Sequence, residues 1–258
     1  MPTPQDHYRN LLAHHYSWMS GLSFDEKVAE QRAILEPLLN DVPRGLAVDL
    51  GSGPGFQSLA LAQLGFSPVL AIDTSAELLS ELEAALRAHA HPKVETHNAD
   101  MLSLADYARP ASASVIACMG DTLTHLPSPD AVRRLFSAIA ATLAPGGLLI
   151  LTWRDLTAEL TGTDRFIPVH ADDNRIMTCF LESISATVVQ VHDLVYTRNP
   201  TRPAAWTLEK SSYPKLRLSP TWVAQALAAT GLEPFSPGDA GRLSLLAAKH
   251  AANLKAGR

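Results

Sequence analysis

The residues best suited to chemistry lie in the stretch 48–75, where three glycines precede a lone carboxylate. Gly51, Gly53 and Gly55 have no Cβ atoms, so their backbone can approach a ligand closely. Asp73 follows about 20 residues after the glycine turn, a spacing at which a carboxylate can bind both hydroxyls of a ribose. The pattern therefore predicts a nucleoside-binding site.

A dinucleotide-binding turn is the main alternative for these glycines. Its fingerprint, G-x-G-x-x-G, places the third glycine three residues after the second. Here that position is Phe56, and a bulky aromatic ring is a poor fit where a helix and a strand must pack closely. The spacing therefore disfavours a nicotinamide or flavin dinucleotide.

A repeating strand–helix pattern holds this site. Short apolar strands are predicted at 47–50, 69–72, 94–97, 114–119 and 148–153, with helices between them. Such alternation predicts a parallel sheet with right-handed crossovers. Near the chain end, Pro237-Gly238 separates two further strands, at 232–235 and 242–248. That link is too short for a parallel crossover, so the last strand should run antiparallel.

Two regions depart from the repeating pattern. Residues 5–40 are predicted to be helical, in two pieces broken around Ser20-Gly21. Between 156 and 218 no helix is convincing, and β-forming stretches are separated by turn residues. The clearest of these stretches are 175–181, 187–196 and 206–211. We therefore expect an antiparallel sheet inserted into the main domain.

Composition limits the classes of partner. The 258-residue chain has a net charge of −5, which offers no basic face for a phosphate backbone and disfavours nucleic acid. Its two cysteines, Cys118 and Cys179, form no disulfide framework and fit a reducing compartment. No apolar run approaches the ~18 residues of a membrane span, and no signal peptide is visible. We expect a cytoplasmic protein without a membrane partner.

The motifs together resemble the class I methyltransferases that use S-adenosylmethionine. The resemblance covers about 46–153 and the last helix and hairpin; it is carried by VDLGSGPG, Asp73, Asn98–Asp100 and LAPGGLLILTW. It implies an α/β fold with a Rossmann-like seven-stranded sheet, its last strand antiparallel, flanked by helices. It also implies an enzyme that moves a methyl group from S-adenosylmethionine to N or O of a small molecule by in-line displacement.

The resemblance further implies that different segments of the chain have different roles. In small-molecule members, helices and strands outside the main domain usually form a substrate lid. Residues 1–42 would then be an N-terminal helical lid, 43–155 with 219–258 the cofactor-binding domain, and 156–218 an inserted antiparallel substrate or lid subdomain. Two matters stay open: whether the inserted sheet is a lid, a dimer contact or both, and whether the protein is a monomer or a homodimer.

The cofactor's methionine end has its own expected contacts. The glycines of the turn would contact this end through their backbone, and Asp49 would bind its ammonium through water or loop amides. Met119 and Gly120 would line the sulfonium. Tyr16 and Trp18 are predicted to close over the cofactor, because aromatic faces favour a cation. The alternative is that these aromatic side chains only dock their helix.

The adenosine end has a second set of expected contacts. Asp73 would bind the ribose hydroxyls, with Thr74 beside it. Asp100 would accept from the exocyclic amine of adenine, and Met101 would lie on the ring. These assignments follow from the resemblance.

Candidates for a general base are few. An amine or hydroxyl acceptor must lose a proton, although methyl transfer relies mainly on proximity. Asp121 and His125 follow the fourth strand at the ligand-facing edge, and we predict both to be catalytic. The alternative interpretations are that Asp121 only caps a turn and that His125 only packs against its neighbours. Arg154 and Asp155 leave the fifth strand at the same edge, where contact with substrate is expected.

Other site chemistries have less support. Asp121 and Asp155 offer two oxygen ligands without a clear third, so no metal is predicted. Methyltransferases that act on base amines tend to carry an Asn/Asp-Pro-Pro-aromatic loop where this chain has residues 119–122, MGDT. Two alternatives stay open: a non-catalytic protein that binds S-adenosylmethionine or its demethylated product, and a protein or RNA methyltransferase.

Overall fold

The computed structural model describes residues 3–89, 93–202 and 205–250. The strands are β1 Leu46–Leu50, β2 Val69–Asp73, β3 Val94–Asn98, β4 Ala113–Cys118, β5 Leu143–Trp153, β6 Phe166–Ala171, β7 Arg175–Ser183, β8 Val188–Arg198, β9 Trp206–Leu216, β10 Leu232–Ala240 and β11 Leu243–His250. The α-helices are α1 Pro4–Asn10, α2 Tyr16–Met19, α3 Phe24–Leu39, α4 Phe56–Gln63, α5 Ala76–His89, α6 Leu104–Tyr107, α7 Pro129–Thr142 and α8 Pro220–Ala228. Short 3-10 turns lie at Leu12–His15, Met101–Ser103, Thr122–His125 and Gly162–Arg165.

The larger sheet has seven strands in the order β10-β11-β5-β4-β1-β2-β3. The first five strands pair in parallel, and β11 runs antiparallel to both β5 and β10. The predicted Rossmann-like sheet with an antiparallel last strand is therefore confirmed. The order reverses between β1 and β4, and ligands of open α/β sheets bind beside such a reversal at the carboxyl ends of the strands.

Helices cover both faces of the larger sheet. The residues from Ala47 to Leu50 are all buried, as expected of a parallel strand covered on both faces. One face packs on α7 and α8 through side chains such as Phe136 and Leu227. The other packs on α4 and α5 through side chains such as Leu59 and Leu82. No helix in the described ranges is long and apolar enough to cross a membrane.

The final hairpin corrects one detail of the sequence interpretation. Pro237-Gly238 lies inside β10, where Pro237 pairs with Leu246, and the turn falls instead at Gly241, which has a φ of +63°. β10 is an edge strand, which is where a proline, lacking an N–H, is tolerated in a sheet. The antiparallel direction is confirmed, although the predicted position of the turn was wrong.

The inserted sheet consists of β6, β7, β8 and β9, all antiparallel. β6 was not predicted from the sequence. One face of this sheet is buried, through side chains such as Met177, Cys179, Leu181, Val191 and Tyr213. That face contributes one wall of the site described below.

The N-terminal arm, residues 3–19, lies across the inserted sheet. Leu11 and Leu12 pack with Met177 of β7 and Val195 of β8 in one buried cluster. The chain turns at Gly21, with a φ of +70°, before α3 begins. The predicted break is thus confirmed, with a further break after α1. The predicted bounds 1–42 and 219–258 extend beyond the described residues at 1–2 and 251–258.

Candidate active site

The glycine turn joins β1 to α4 and has no room for a side chain at two of its positions, Gly51 and Gly55. Gly51 and Gly55 have φ values of +70° and +91°. A Cβ on Gly51 would lie 2.1 Å from Thr122, and one on Gly55 would lie 2.2 Å from Leu82. Gly51 and Gly53 line a cavity of about 80 Å³, which we call the glycine cavity. Gly55 instead makes room for Leu82 of α5.

Asp73 is held at the end of β2 by the backbone. Its Oδ2 accepts from the Gly53 N–H at 2.8 Å, and its Oδ1 accepts from the Ser75 N–H at 2.7 Å. Burial raises the pKa of Asp73, while these N–H groups oppose the shift. The side chain lines the glycine cavity, and each carboxylate oxygen keeps capacity for a second donor. Two adjacent hydroxyls, as in a ribose, match this arrangement.

The rest of the glycine cavity is formed where β2 and β3 end. Thr74, Asp100 and Met101 line it, together with Leu126 from the loop after β4. The Asp100 side chain caps the following turn by accepting from the Leu102 N–H at 2.8 Å. Asp100 is exposed and so remains able to accept a second hydrogen bond. The four residues predicted to contact adenosine therefore line one cavity.

A larger cavity of about 430 Å³, the outer cavity, adjoins the other side of the turn and is lined by Met119, Gly120 and Ser52. The Ser52 hydroxyl is buried and has no hydrogen-bond partner among the described residues. Nearby, the buried Asp49 carboxyl accepts from the Ser58 hydroxyl at 2.6 Å, and burial raises the pKa of Asp49 to about 7. The unpaired hydroxyl can donate to the carboxylate of an amino acid, and a nearby ammonium would favour the ionised form of the Asp49 carboxyl, which lines neither the glycine cavity nor the outer cavity.

The two aromatic residues predicted to cover the cofactor have different surroundings. A Cβ on Gly53 would lie 3.7 Å from the Tyr16 ring, which lines both the glycine and outer cavities. Trp18 donates from Nε1 to Asp172 at 2.6 Å, and the Arg175 guanidinium lies 4.4 Å from its ring centroid. Residues two apart on a helix face different ways. The structure thus brings Tyr16 to the cavities and packs Trp18 against the inserted sheet.

A third cavity, the inner cavity, lies between the N-terminal arm, the loop after β4 and the inserted sheet. Its volume is about 120 Å³, and much of its wall is apolar: Leu12, Met177, Cys179, Leu181 and Val191. Tyr8, Tyr16, Thr122 and His125 line both this cavity and the glycine cavity. The two cavities therefore meet at a largely aromatic boundary.

Asp121 lies in the wall of the inner cavity, and both oxygens of its carboxylate have protein partners. It forms an ion pair with Lys215 of β9. Its Oδ1 accepts from the Arg154 N–H and from the Thr124 hydroxyl, both at 3.0 Å. Burial acts to raise the pKa of Asp121, but the nearby cations, led by Lys215, hold that pKa below its usual value. Such a carboxylate is a weak base, and its contacts join the loop after β4 to β5 and β9.

His125, unlike Asp121, is held in its uncharged form by its surroundings. Burial, with a further contribution from the Lys215 cation, lowers the pKa of His125 to about 3. Its ring centroid lies 5.7 Å from that of Tyr8 and 5.5 Å from that of Tyr213. Its Nε2 is buried and has no hydrogen-bond partner within the described part of the chain. The imidazole is therefore neutral at physiological pH, with a ring nitrogen free for a ligand.

Several residues of the inner cavity were not found by sequence analysis. They include Tyr8, Asp193, Tyr213 and Lys215. His7 Nε2 lies 2.9 Å from Asp193 Oδ2, and its ring stacks on Tyr213 at 4.1 Å. One signal was available, since Asp193 interrupts an apolar strand and buried acids need partners. The described residues contain no group of three His, Cys, Asp or Glu side chains placed to hold a metal ion.

Comparisons with known proteins agree with this geometry. Residues 47–147 match a family model described as a methyltransferase domain. No curated protein matches the chain. Many solved structures are similar in fold, of which three are described below, and at their low sequence identities the likeness shows the fold alone.

The first is an S-adenosylmethionine-dependent methyltransferase from Clostridium acetobutylicum, 17% identical, with a TM-score of 0.73 over 94% of this chain and 98% of that one. The second is CalS10, an amino pentose methyltransferase from Micromonospora echinaspora with S-adenosylmethionine bound, 19% identical, with a TM-score of 0.69 over 91% and 94%. The third is the sugar N-methyltransferase KedS8 from Streptoalloteichus, 18% identical, with a TM-score of 0.69 over 94% and 92%.

The family match covers β1 to β4, the first residues of β5, the glycine turn and Asp73. In the structure the glycine turn and Asp73 line one cavity. The sheet order and the antiparallel last strand complete the fold that the sequence predicted. The family match agrees with the predicted enzyme class, and fold neighbours that use S-adenosylmethionine agree with the predicted cofactor. The chain thus contains a methyltransferase domain at residues 47–147, set in the Rossmann-like fold that the sequence predicted.

Proposed function

We propose that this enzyme methylates a nitrogen atom of a small-molecule amine. The observation that carries the proposal is the boundary between the glycine and inner cavities, where Tyr8, Tyr16 and His125 line both. Aromatic faces attract cations such as a sulfonium or the ammonium that forms on a methylated nitrogen. Tyr213 extends this aromatic surface on the inner side.

The size and position of the inner cavity support a small acceptor. At about 120 Å³, the cavity lies between the N-terminal arm and the inserted sheet. The names of two fold neighbours, an amino pentose methyltransferase and a sugar N-methyltransferase, point to the same class. We further propose that the N-terminal residues and the inserted sheet act together as the lid. A lid of this kind would exclude water and fix the acceptor near the methyl group.

In the proposed mechanism the protein mainly positions the reactants. S-adenosylmethionine, when bound, supplies a methyl group already activated by the positive sulfur. The chain's task is to hold the acceptor nitrogen in line with that methyl group. His125, neutral and with a free Nε2, would accept a hydrogen bond from the amine. We propose Asp121 as a positioning residue, since its carboxylate is already bonded to Lys215 and Arg154.

The low basicity of His125 has a consequence for pH dependence. A group with a pKa of about 3 is a poor proton acceptor at neutral pH. The amine must therefore lose its proton to solvent before it reacts. We expect kcat/KM to rise with pH until the pKa of the acceptor amine is passed, without a downward break from His125 between pH 5 and 8.

A transfer assay tests the proposed function. The protein is incubated with S-adenosylmethionine labelled in the methyl group, and with amines paired to the corresponding alcohols. We expect the label on nitrogen, identified by mass spectrometry of the products. His125→Leu should lower kcat, whereas the matched change at the exposed His14, His14→Leu, should not. Label only on oxygen, label on protein or RNA from an extract, or cofactor binding without any transfer would each overturn the proposal.

A further inference from the structure

The charged residues of the inner cavity differ in whether they have partners. Four charged side chains line it: Asp121, Arg154, Asp193 and Lys215. Lys215 pairs with Asp121, and Asp193 lies 2.9 Å from the Nε2 of His7. Across residues 3–89, 93–202 and 205–250, by contrast, no hydrogen bond or ion pair engages the Arg154 guanidinium. Arg154 is exposed to solvent and is the one charge of this set without a protein partner in the described part of the chain.

The backbone fixes Arg154 beside the reaction site. It directly follows β5, and its N–H donates to Asp121 Oδ1 at 3.0 Å. Its side chain lines the inner cavity, the outer cavity and a further cavity of about 190 Å³ beside Leu156 and Leu181. Its positive charge contributes to lowering the pKa of Asp121 and opposes the rise in the pKa of the Cys179 thiol caused mainly by burial. The guanidinium therefore lies within electrostatic range of two walls of the inner cavity.

We propose that the methyl acceptor carries an anionic group, a carboxylate or a phosphate, which the guanidinium of Arg154 binds. A guanidinium presents two parallel N–H donors that match the oxygens of either group. The proposal rests on the proposed amine methylation and specifies its substrate class: an amine that also bears an acid. The amine faces Tyr8, Tyr16 and His125, and the acid faces Arg154. Lys215 adds positive charge nearby but is already paired.

Binding of simple probes tests the site without knowledge of the true acceptor. Calorimetry on protein saturated with S-adenosylhomocysteine compares benzoate and phenyl phosphate with uncharged benzamide. We expect at least one anion to bind at least about tenfold more tightly than benzamide, and the tighter of the two anions identifies the acid. Arg154→Gln should remove this preference. The matched control is Arg134→Gln, on the exposed side of α7, which should retain it.

Three results would overturn the proposal. They are equal binding of benzamide and both anions, a preference that survives Arg154→Gln, and no detectable binding of any probe. A transfer assay separates this proposal from the proposed function. It compares phenylalanine with phenethylamine, and phosphoethanolamine with ethanolamine. If amines with and without the acid are methylated equally well, the anion site is wrong and amine methylation stands. If benzoate binding depends on Arg154 but no amine is methylated, the proposed function is wrong.

Discussion

The two halves of the active site are built in different ways. On the cofactor side, the glycine turn, Asp73 and Asp100 lie in one segment, 51–101, and the two carboxylates are held by backbone N–H groups. The acceptor side takes Tyr8, His125, Asp193 and Lys215 from four distant parts of the chain. These four are held by side-chain contacts such as the Lys215–Asp121 ion pair. The residues expected to bind the methyl donor are therefore close together in sequence. The inner cavity, by contrast, forms only when distant parts of the chain come together in the tertiary structure.

The largest expected effect is on the cofactor side. Asp73→Ala removes the carboxylate that faces the cavity and leaves the Gly53 and Ser75 N–H groups without their acceptor. The affinity for S-adenosylhomocysteine should fall at least ~100-fold, since hydrogen bonds to a charged group are worth roughly 1.5–3 kcal/mol each. Calorimetry measures the loss. Asp106→Ala, an exposed acid on α6 outside the cavities, serves as the control and should bind normally. Normal binding by Asp73→Ala would mean that the ribose lies elsewhere.

The next effect tests the acceptor side. Lys215→Met leaves Asp121 buried without its cation and should lower the free energy of unfolding by about 3 kcal/mol. Denaturant titration measures it. Lys210→Met, on the same strand but exposed, should change stability little. Adding Asp121→Asn to Lys215→Met should recover much of the loss. If the double variant is no more stable than Lys215→Met, the ion pair does not account for the effect.

A third prediction compares two neighbouring aromatic residues of the N-terminal arm. Tyr16→Leu should weaken binding of S-adenosylmethionine about tenfold, because the ring over Gly53 is lost. Trp18→Leu should leave that affinity within about twofold, since Trp18 packs on Arg175 and bonds to Asp172. Binding can be followed by calorimetry at one ionic strength. Equal losses in the two variants would contradict the assignment of Tyr16 alone to the cavities.

The smallest expected effect is a pH dependence on the cofactor side. The pKa of Asp49 is about 7 in the folded protein, raised mainly by burial from a usual 3.8. The protein without cofactor therefore loses stability from this group as pH rises through 7. A cofactor ammonium favours the ionised carboxyl, so S-adenosylhomocysteine should bind severalfold, and at most about tenfold, more tightly at pH 8 than at pH 6. Asp49→Asn should flatten this profile. An unchanged slope in Asp49→Asn would assign the dependence to another group.

The same contrast explains what the sequence allowed us to predict. The sheet, its antiparallel last strand, the glycine turn and the position of Asp73 follow from local patterns and from crossover rules. Tyr8 and Lys215 carry no local pattern, because their roles depend on which distant residues they meet. Asp121 and His125 were placed correctly at the sheet edge. Their protonation behaviour depends on Lys215 and on burial, which a sequence does not display.

The neighbouring aromatic residues illustrate a second limit. Tyr16 and Trp18 have similar chemistry and lie two positions apart, yet of the two only Tyr16 lines the glycine, outer and inner cavities. The orientation of α2 is set by its contacts with the inserted sheet, including the Trp18–Asp172 hydrogen bond, 154 residues apart in sequence. Gly55 is a similar case, because it accommodates Leu82 rather than the ligand cavity. Long-range packing, which local patterns do not contain, decides these roles.

One variant tests the separation of the two halves most directly. Tyr213 lines the inner cavity and stacks on His7, and it is absent from the lining of the glycine and outer cavities. For Tyr213→Leu, we expect KM for the acceptor amine to rise about tenfold or more, while the Kd for S-adenosylhomocysteine stays within about twofold of the value for the unchanged protein. A loss of cofactor affinity equal to the rise in KM, or no change in either constant, would contradict the account.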